Sequence, residues 1–141
     1  PTVVAVFFGA IDYSADVGCQ VVWDAVLYAR SRVVNAASMV GVSAIDSPFM
    51  NVEAAEMLAD ESRKTRALGF VGKAAIHPSQ VPIIQSAFSP PASEISWAKR
   101  IVDAYERNDG GVLLVDGKLV ERPVITAAKR ILAIAEMIRE S

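Results

Sequence analysis

Three side chains in this sequence stand where chemistry could be done: Asp12, Asp46 and His77. Asp12 closes the segment Gly9-Ala10-Ile11-Asp12, which follows a run of apolar residues. Its carboxylate oxygens suit a hard cation such as Mg²⁺. Gly9 lets a ligand approach the backbone, so the amides of Ala10, Ile11 and Asp12 could hold an anion. From spacing alone, Asp12 could equally cap a following helix or turn, and Asp16 reads as a cap or an exposed residue. Asp46 either faces a ligand or bonds the turn before Pro48. His77 is the sole histidine. With no second His or Cys beside it to build a triad, it reads as well as a satisfied structural hydrogen-bonder as it does a base. Lys73 is either an inward charge or a solvated edge residue. By composition, Asp116 is plain turn chemistry.

The elements that must position these groups follow from hydrophobic spacing. Residues 3–8 form a continuous apolar run, the pattern of a strand covered on both faces in a parallel sheet. Val22, Val26, Ala29, Val33, Ala37 and Val40 recur at helical spacing, and Gly41 is a fitting stop. A short strand is expected over 42–46. Asn51 can cap the next helix, with Glu53 in its first turn, and Gly69 ends that helix after Leu68. Residues 70–76 read as a third strand. The order is β-α-β-α-β, with connections long enough for right-handed parallel crossovers. In such sheets ligands bind beyond the carboxyl ends of the strands. Those ends are Gly9 to Asp12, Asp46-Ser47-Pro48-Phe49 and His77-Pro78-Ser79-Gln80.

A short helix is expected over 80–88, and another over 93–107. A break follows at Asn108-Asp109-Gly110-Gly111. Val112 to Val120 then forms a hairpin, whose Asp116-Gly117 pair supplies the positive-φ positions of a type I′ turn. A last helix opens at Arg122-Pro123 with proline at its first position. Two domains result: a βα block over 1–88 and a helix-hairpin-helix appendage over 89–141.

Composition narrows the classes. The 141 residues are 52% hydrophobic and 21% charged, enough for a real core. A net charge of −2 gives no footprint for nucleic acid or an anionic membrane. Lys99-Arg100 and Lys129-Arg130 are ordinary polar helix faces. The longest uncharged apolar run, 3–11, is too short to span a bilayer, and no signal peptide is visible. A cytoplasmic protein is the expectation. A single cysteine, Cys19, excludes an internal disulfide and a thiolate metal cluster. Walker A, G-x-G-x-x-G, G-x-S-x-G and H-E-x-x-H patterns are absent. Numbering begins at Pro1, and a buried strand starts at once, so a longer parent chain is expected.

Five segments, in order, resemble one family. Phe8-Gly9-Ala10-Ile11-Asp12-Tyr13-Ser14-Ala15-Asp16-Val17-Gly18 is similar to F-G-A-E-D-x-x-A-D-L-G. Leu27-Tyr28-Ala29-Arg30-Ser31-Arg32-Val33-Val34 resembles the helix that follows, and Ala44-Ile45-Asp46-Ser47-Pro48-Phe49 the next strand and loop. The stretch from Gly69 to Gln80 resembles G-F-x-G-K-x-x-I-H-P-x-Q, and Val115-Asp116-Gly117-Lys118-Leu119-Val120 the V-D-G-K/R segment. On these motifs the chain resembles the citrate lyase β-subunit-like (HpcH/HpaI aldolase) family, CoA-thioester lyases such as citryl-CoA, malyl-CoA and citramalyl-CoA lyase.

The resemblance implies an α/β fold: the C-terminal part of a (β/α)₈ TIM barrel, beginning at its sixth strand, plus a helix-hairpin-helix lid. Three strands cannot close a barrel. By the same resemblance the earlier strands, with a second metal-binding carboxylate, a substrate-binding arginine and most CoA-contacting basic residues, are expected to lie elsewhere or to be missing. It implies that Asp12 ligates Mg²⁺ and that the amides around Gly9, Ala10 and Ile11 hold the carboxylate of an α-keto acid. The loops carrying Asp46, Pro48, Ile76, His77 and Pro78 would contribute to substrate binding, walling the CoA arm. Asp116 would be the catalytic acid/base, on a lid reaching a neighbouring protomer of a homo-oligomer. The implied reaction is Mg²⁺-dependent carbon–carbon cleavage of a 3-hydroxyacyl-CoA thioester to an acyl-CoA and an α-keto acid. A malyl-CoA-type thioester hydrolase and a non-catalytic assembly subunit stay open. Ile11 departs from the family pattern, which has Glu there, and that bears on substrate preference.

Overall fold

The computed structural model describes residues 2–108 and 112–139; of the expected break, 109–111 lie outside these. The chain divides into two compact units, Pro1–Phe88 and Ser89–Ser141.

The first unit is built on a three-stranded parallel sheet in the order β1 (Ala5–Phe7), β2 (Ser43–Asp46), β3 (Gly72–Lys73). The register pairs Val6 with Ala44 and Phe7 with Ile45, then Ile45 with Gly72 and Asp46 with Lys73. The strands are shorter than hydrophobicity implies, because each keeps strand geometry only where it has a partner. The third, expected over 70–76, narrows to two paired residues, flanked by Val71 N–H donating to Ala44 and Ala74 N–H to Asp46.

Successive strand residues point to opposite faces. Val6, Phe8 and Ala44 face α2 (Trp23–Val40), where Val26, Ala29 and Ala37 complete a core with Phe70. The opposite face carries Phe7, which is 63% exposed. The expected cover on both faces is therefore met on one face only within this unit. Helix α3 (Ala55–Leu68) leads to β3 and packs on α4 (Val81–Phe88), which follows a 3₁₀ turn at Pro78–Gln80.

Two local expectations change. Residues 9–12, read as the strand end from which a helix or turn capped by Asp12 could follow, enter helix α1 (Ala10–Val17) at Gly9, the N-cap, so that Asp12 lies in the first turn and is not the cap. Asn51 does not cap α3: its side chain accepts from the Glu53 amide at 3.1 Å, closing a turn before the helix begins.

The second unit packs α5 (Ala92–Glu106) against α6 (Arg122–Arg139), with Ala98 and Ala128 fully buried. Ile101, Val120 and Ile125 share that core with Trp97, Leu113 and Val115. Strands β4 (Leu114–Val115) and β5 (Lys118–Leu119) form the antiparallel hairpin. Asp116 and Gly117 take φ of 51° and 73°, the left-handed pair that a type I′ turn requires. Arg122 opens α6, so Pro123 takes its second position.

Candidate functional site

Three of the loops that carry expected residues begin at the carboxyl edge of the sheet. After β1 the chain turns at Gly9 into α1, and Tyr13 N–H bonds back to Gly9 carbonyl at 2.9 Å. The amides of Ala10, Ile11 and Asp12 therefore open the helix with no earlier helical carbonyl to donate to. Asp12 sits in this first turn, where the helix dipole favours its negative charge. It makes no side-chain cap bond, and it is exposed and unpaired among the described residues. Its Oδ2 stands 3.0 Å from where a Cβ on Gly9 would lie. An alanine Cβ at position 9 would make the carboxylate give way by a few tenths of an ångström.

Asp12 meets the donor chemistry of Mg²⁺: a hard oxygen, accessible, and not consumed by a neighbouring cation. No group of three or more His, Cys, Asp or Glu that could hold a metal occurs among the described residues. Mg²⁺ keeps several waters and takes one or two carboxylates plus substrate oxygens, so one carboxylate fits as part of a shared set.

Asp46 corrects an expectation. It shares the helix-side parity of Ala44 and is fully buried. Arg30 Nε donates to its Oδ1 at 2.9 Å, and Lys73 Nζ to its Oδ2 at 2.6 Å. Glu61 Oε1 accepts from the same two cations, at 3.1 Å from Arg30 and 2.7 Å from Lys73. With both oxygens held by Arg30 and Lys73, the Asp46 side chain is turned into the core and not onto the Pro48 turn. It instead anchors the point where that loop leaves the sheet. Lys73 is an inward charge. Two cations balance two anions, and the ion set is nearly closed to water, with only Glu61 reaching the surface. Arg30 also lies over the rings of Trp23 at 4.9 Å and Phe8 at 5.9 Å.

Beyond β2 and β3, Pro48 is half-buried while Ile76, His77 and Pro78 are exposed. His77 Nδ1 accepts the Ser79 amide at 3.2 Å and lies 2.8 Å from the Ser79 hydroxyl, capping the 3₁₀ turn. Gln80 is almost wholly buried. Its Nε2 donates to Phe49 carbonyl at 2.8 Å and its Oε1 accepts the Ile76 amide at 3.0 Å. Asp116 lies on the hairpin of the second unit, exposed and 3.2 Å from Arg100.

Sequence reasoning missed the parts played by Arg30, Glu61 and Gln80. Arg30 and Gln80 stand inside the quoted motifs. An arginine on the otherwise apolar face of α2, four residues after Val26, was the available signal for the first.

Residues 1–78 match the family described as HpcH/HpaI aldolase/citrate lyase. The chain is 32% identical to the mitochondrial citramalyl-CoA lyase of Rattus norvegicus, over 96% of this chain and 42% of that protein. It is 31% identical to the citrate lyase subunit beta of Leuconostoc mesenteroides subsp. cremoris, over 94% of this chain and 45% of the relative. The CitE protein of Mycobacterium tuberculosis, solved with magnesium, acetoacetate and coenzyme A, superposes with a TM-score of 0.81 at 31% identity, covering 94% of this chain and 52% of that one. The chain thus spans about half, or less, of the length of these relatives, and among its described residues no helix is long and apolar enough to cross a membrane. By its fold, its motifs and these matches, the chain belongs to the HpcH/HpaI aldolase/citrate lyase family.

Proposed function

We propose that this chain forms the C-terminal part of a Mg²⁺-dependent carbon–carbon lyase acting on a 3-hydroxyacyl-CoA thioester of the citryl-, malyl- or citramalyl-CoA type. The single observation that carries the reading is Asp12: an unpaired carboxylate at the carboxyl edge of a parallel sheet, beside a glycine whose missing side chain leaves it room. The bare face around Phe7 supports a barrel completed by strands outside this chain, which would also bring the second metal carboxylate.

In that enzyme Asp12 would hold Mg²⁺, which when bound chelates the substrate's hydroxy-carboxylate and polarises the carbonyl formed on cleavage. The first-turn amides of Ala10 and Ile11, aided by Gly9, would bind the departing keto acid's carboxylate. The loops bearing Pro48, Ile76, His77 and Pro78 would line the CoA arm. As the carbon–carbon bond breaks, the 3-hydroxyl would give up its proton to a base such as water at the site, the bond's electron pair would pass to the thioester as an enolate, and the Asp116 carboxyl would serve as the acid that returns a proton to that carbon. In the synthetic direction its carboxylate would remove the same proton. Its exposed place on a hairpin suits a lid that closes over a neighbouring protomer's site, which makes the protein a homo-oligomer.

The deciding experiment follows product release by the complete protein from malyl-, citramalyl- and citryl-CoA with and without Mg²⁺. An α-keto acid appearing with the acyl-CoA, and lost on Asp12→Asn, is the expected result. Free CoA with the intact hydroxy acid would instead mark a thioester hydrolase, and no Mg²⁺-dependent turnover would mark an assembly subunit.

A further inference from the structure

Among the described residues, one buried side chain hydrogen-bonds to both loops assigned to the CoA arm. The backbone ladder between their strands ends where Ala74 N–H donates to Asp46 carbonyl at 3.0 Å. Past that point, among the described residues, the next polar link between the segments is the Gln80 amide. Its two ends are used differently: the NH₂ donates to Phe49 carbonyl, in the loop after β2, and the oxygen accepts from Ile76 N–H, in the loop after β3. Both partners are main-chain groups adjoining proposed wall residues, Phe49 beside Pro48 and Ile76 itself. Gln80 is 1% exposed, so water cannot replace either bond without opening the site. Its backbone is fixed in turn by Gln80 N–H donating to His77 carbonyl at 3.0 Å, in a turn that His77 caps.

We propose that Gln80 is a positioning residue for the thioester's CoA arm, holding the Pro48 and Ile76 walls at a fixed separation without itself touching substrate. The inference rests on the reading of these loops as the CoA-binding walls. An amide is required because one partner is an acceptor and the other a donor. A glutamate keeps the acceptor but turns a negative oxygen on the Phe49 carbonyl, and methionine fills the volume while meeting neither group. Because the residue acts on the carrier and not on the reacting carbons, its loss should fall on binding of the long substrate.

The experiment uses the complete protein and two substrates, the hydroxyacyl-CoA ester and its N-acetylcysteamine thioester, which keeps the reacting end and lacks the nucleotide arm. For Gln80→Met the expected result is a KM for the CoA ester raised about tenfold with kcat little changed, while kcat/KM for the truncated ester stays near that of the parent. Gln80→Glu should behave alike, and it decides the matter should the methionine variant fail to fold. Equal losses on both thioesters, a fall in kcat alone, or no change on either would overturn the proposal. A parent enzyme that does not discriminate the CoA ester from the truncated one would instead overturn the wall assignment, a failure visible before any variant is made.

Discussion

At the residue scale, Asp12 and Gly9 act as a pair. An exposed carboxylate at a helix N-terminus is common, and charge–dipole attraction alone is worth only about 0.3–1 kcal/mol. That small gain does not explain why glycine stands where a Cβ would meet the carboxylate oxygen at 3.0 Å. Gly9 has a negative φ of −92°, so backbone freedom does not demand it. Gly9→Ala should therefore leave folding nearly intact and displace the carboxylate by a few tenths of an ångström. The expected outcome is a melting temperature close to the parent's with a Mg²⁺ activation constant raised about tenfold or more, of the order seen when a metal ligand's surroundings are disturbed. Asp12→Asn should go further, lowering kcat/KM about 100-fold or more through loss of the anionic ligand, read as keto acid release at saturating Mg²⁺. An unchanged Mg²⁺ dependence in both variants would remove Asp12 from the metal site.

What the amino-acid order disclosed at this scale was position, not direction. A carboxylate just past a strand is visible from the apolar run and the glycine that ends it. Whether the side chain then faces ligand or core depends on strand parity, and parity depends on where pairing begins. Asp46 shows the difference: it too stands at a strand's end, yet the register that seats Ala44 on α2 turns Asp46 the same way, onto Arg30 and Lys73. The ion set joins residues 16 and 27 positions apart, and no periodicity encodes such pairs.

At the scale of elements, that ion set ties two helices to two strands: Arg30 from α2, Glu61 from α3, Asp46 from β2 and Lys73 from β3. Helices and strands were legible because periodicity is local, and the parallel order followed from connection length. The ion set, by contrast, forms only once the layers are stacked. A buried pair gains little over apolar packing, but removing one partner leaves an uncompensated charge. Lys73→Met should accordingly destabilise the first unit by about 3–5 kcal/mol, seen as a lower urea midpoint with a similar slope. The hairpin is governed differently. Gly117 has a φ of 73°, and an L-residue there costs roughly 1–2 kcal/mol. Gly117→Val should loosen the turn that presents Asp116. Turnover should then fall while Mg²⁺ affinity holds, since the proposed metal ligand, Asp12, belongs to the other unit.

At the scale of the whole molecule, the first unit carries a sheet finished on one side. Val6, Phe8 and Ala44 are packed against α2, whereas Phe7, in register with Ile45, is mostly open to solvent. Three parallel strands with one bare face match the proposed role as part of a closed barrel, and relatives about twice as long have room for the rest. The donors point the same way, with no cluster of three candidate ligands among the described residues, so that Asp12 would need partners from elsewhere to hold a metal. A single exposed carboxylate competes poorly with water for Mg²⁺, which gives up its hydration shell reluctantly. The 141 residues expressed alone should therefore bind neither Mg²⁺ nor CoA measurably by calorimetry at millimolar ligand, and should release no keto acid from any hydroxyacyl-CoA. Adding the barrel strands proposed to lie outside this chain, in one chain or as a co-expressed partner, should restore all three together, because on that reading they supply both a second carboxylate and the cover for Phe7. Turnover by the 141 residues alone would show that the site is complete without them, and would move the search for the second ligand to the residues present here.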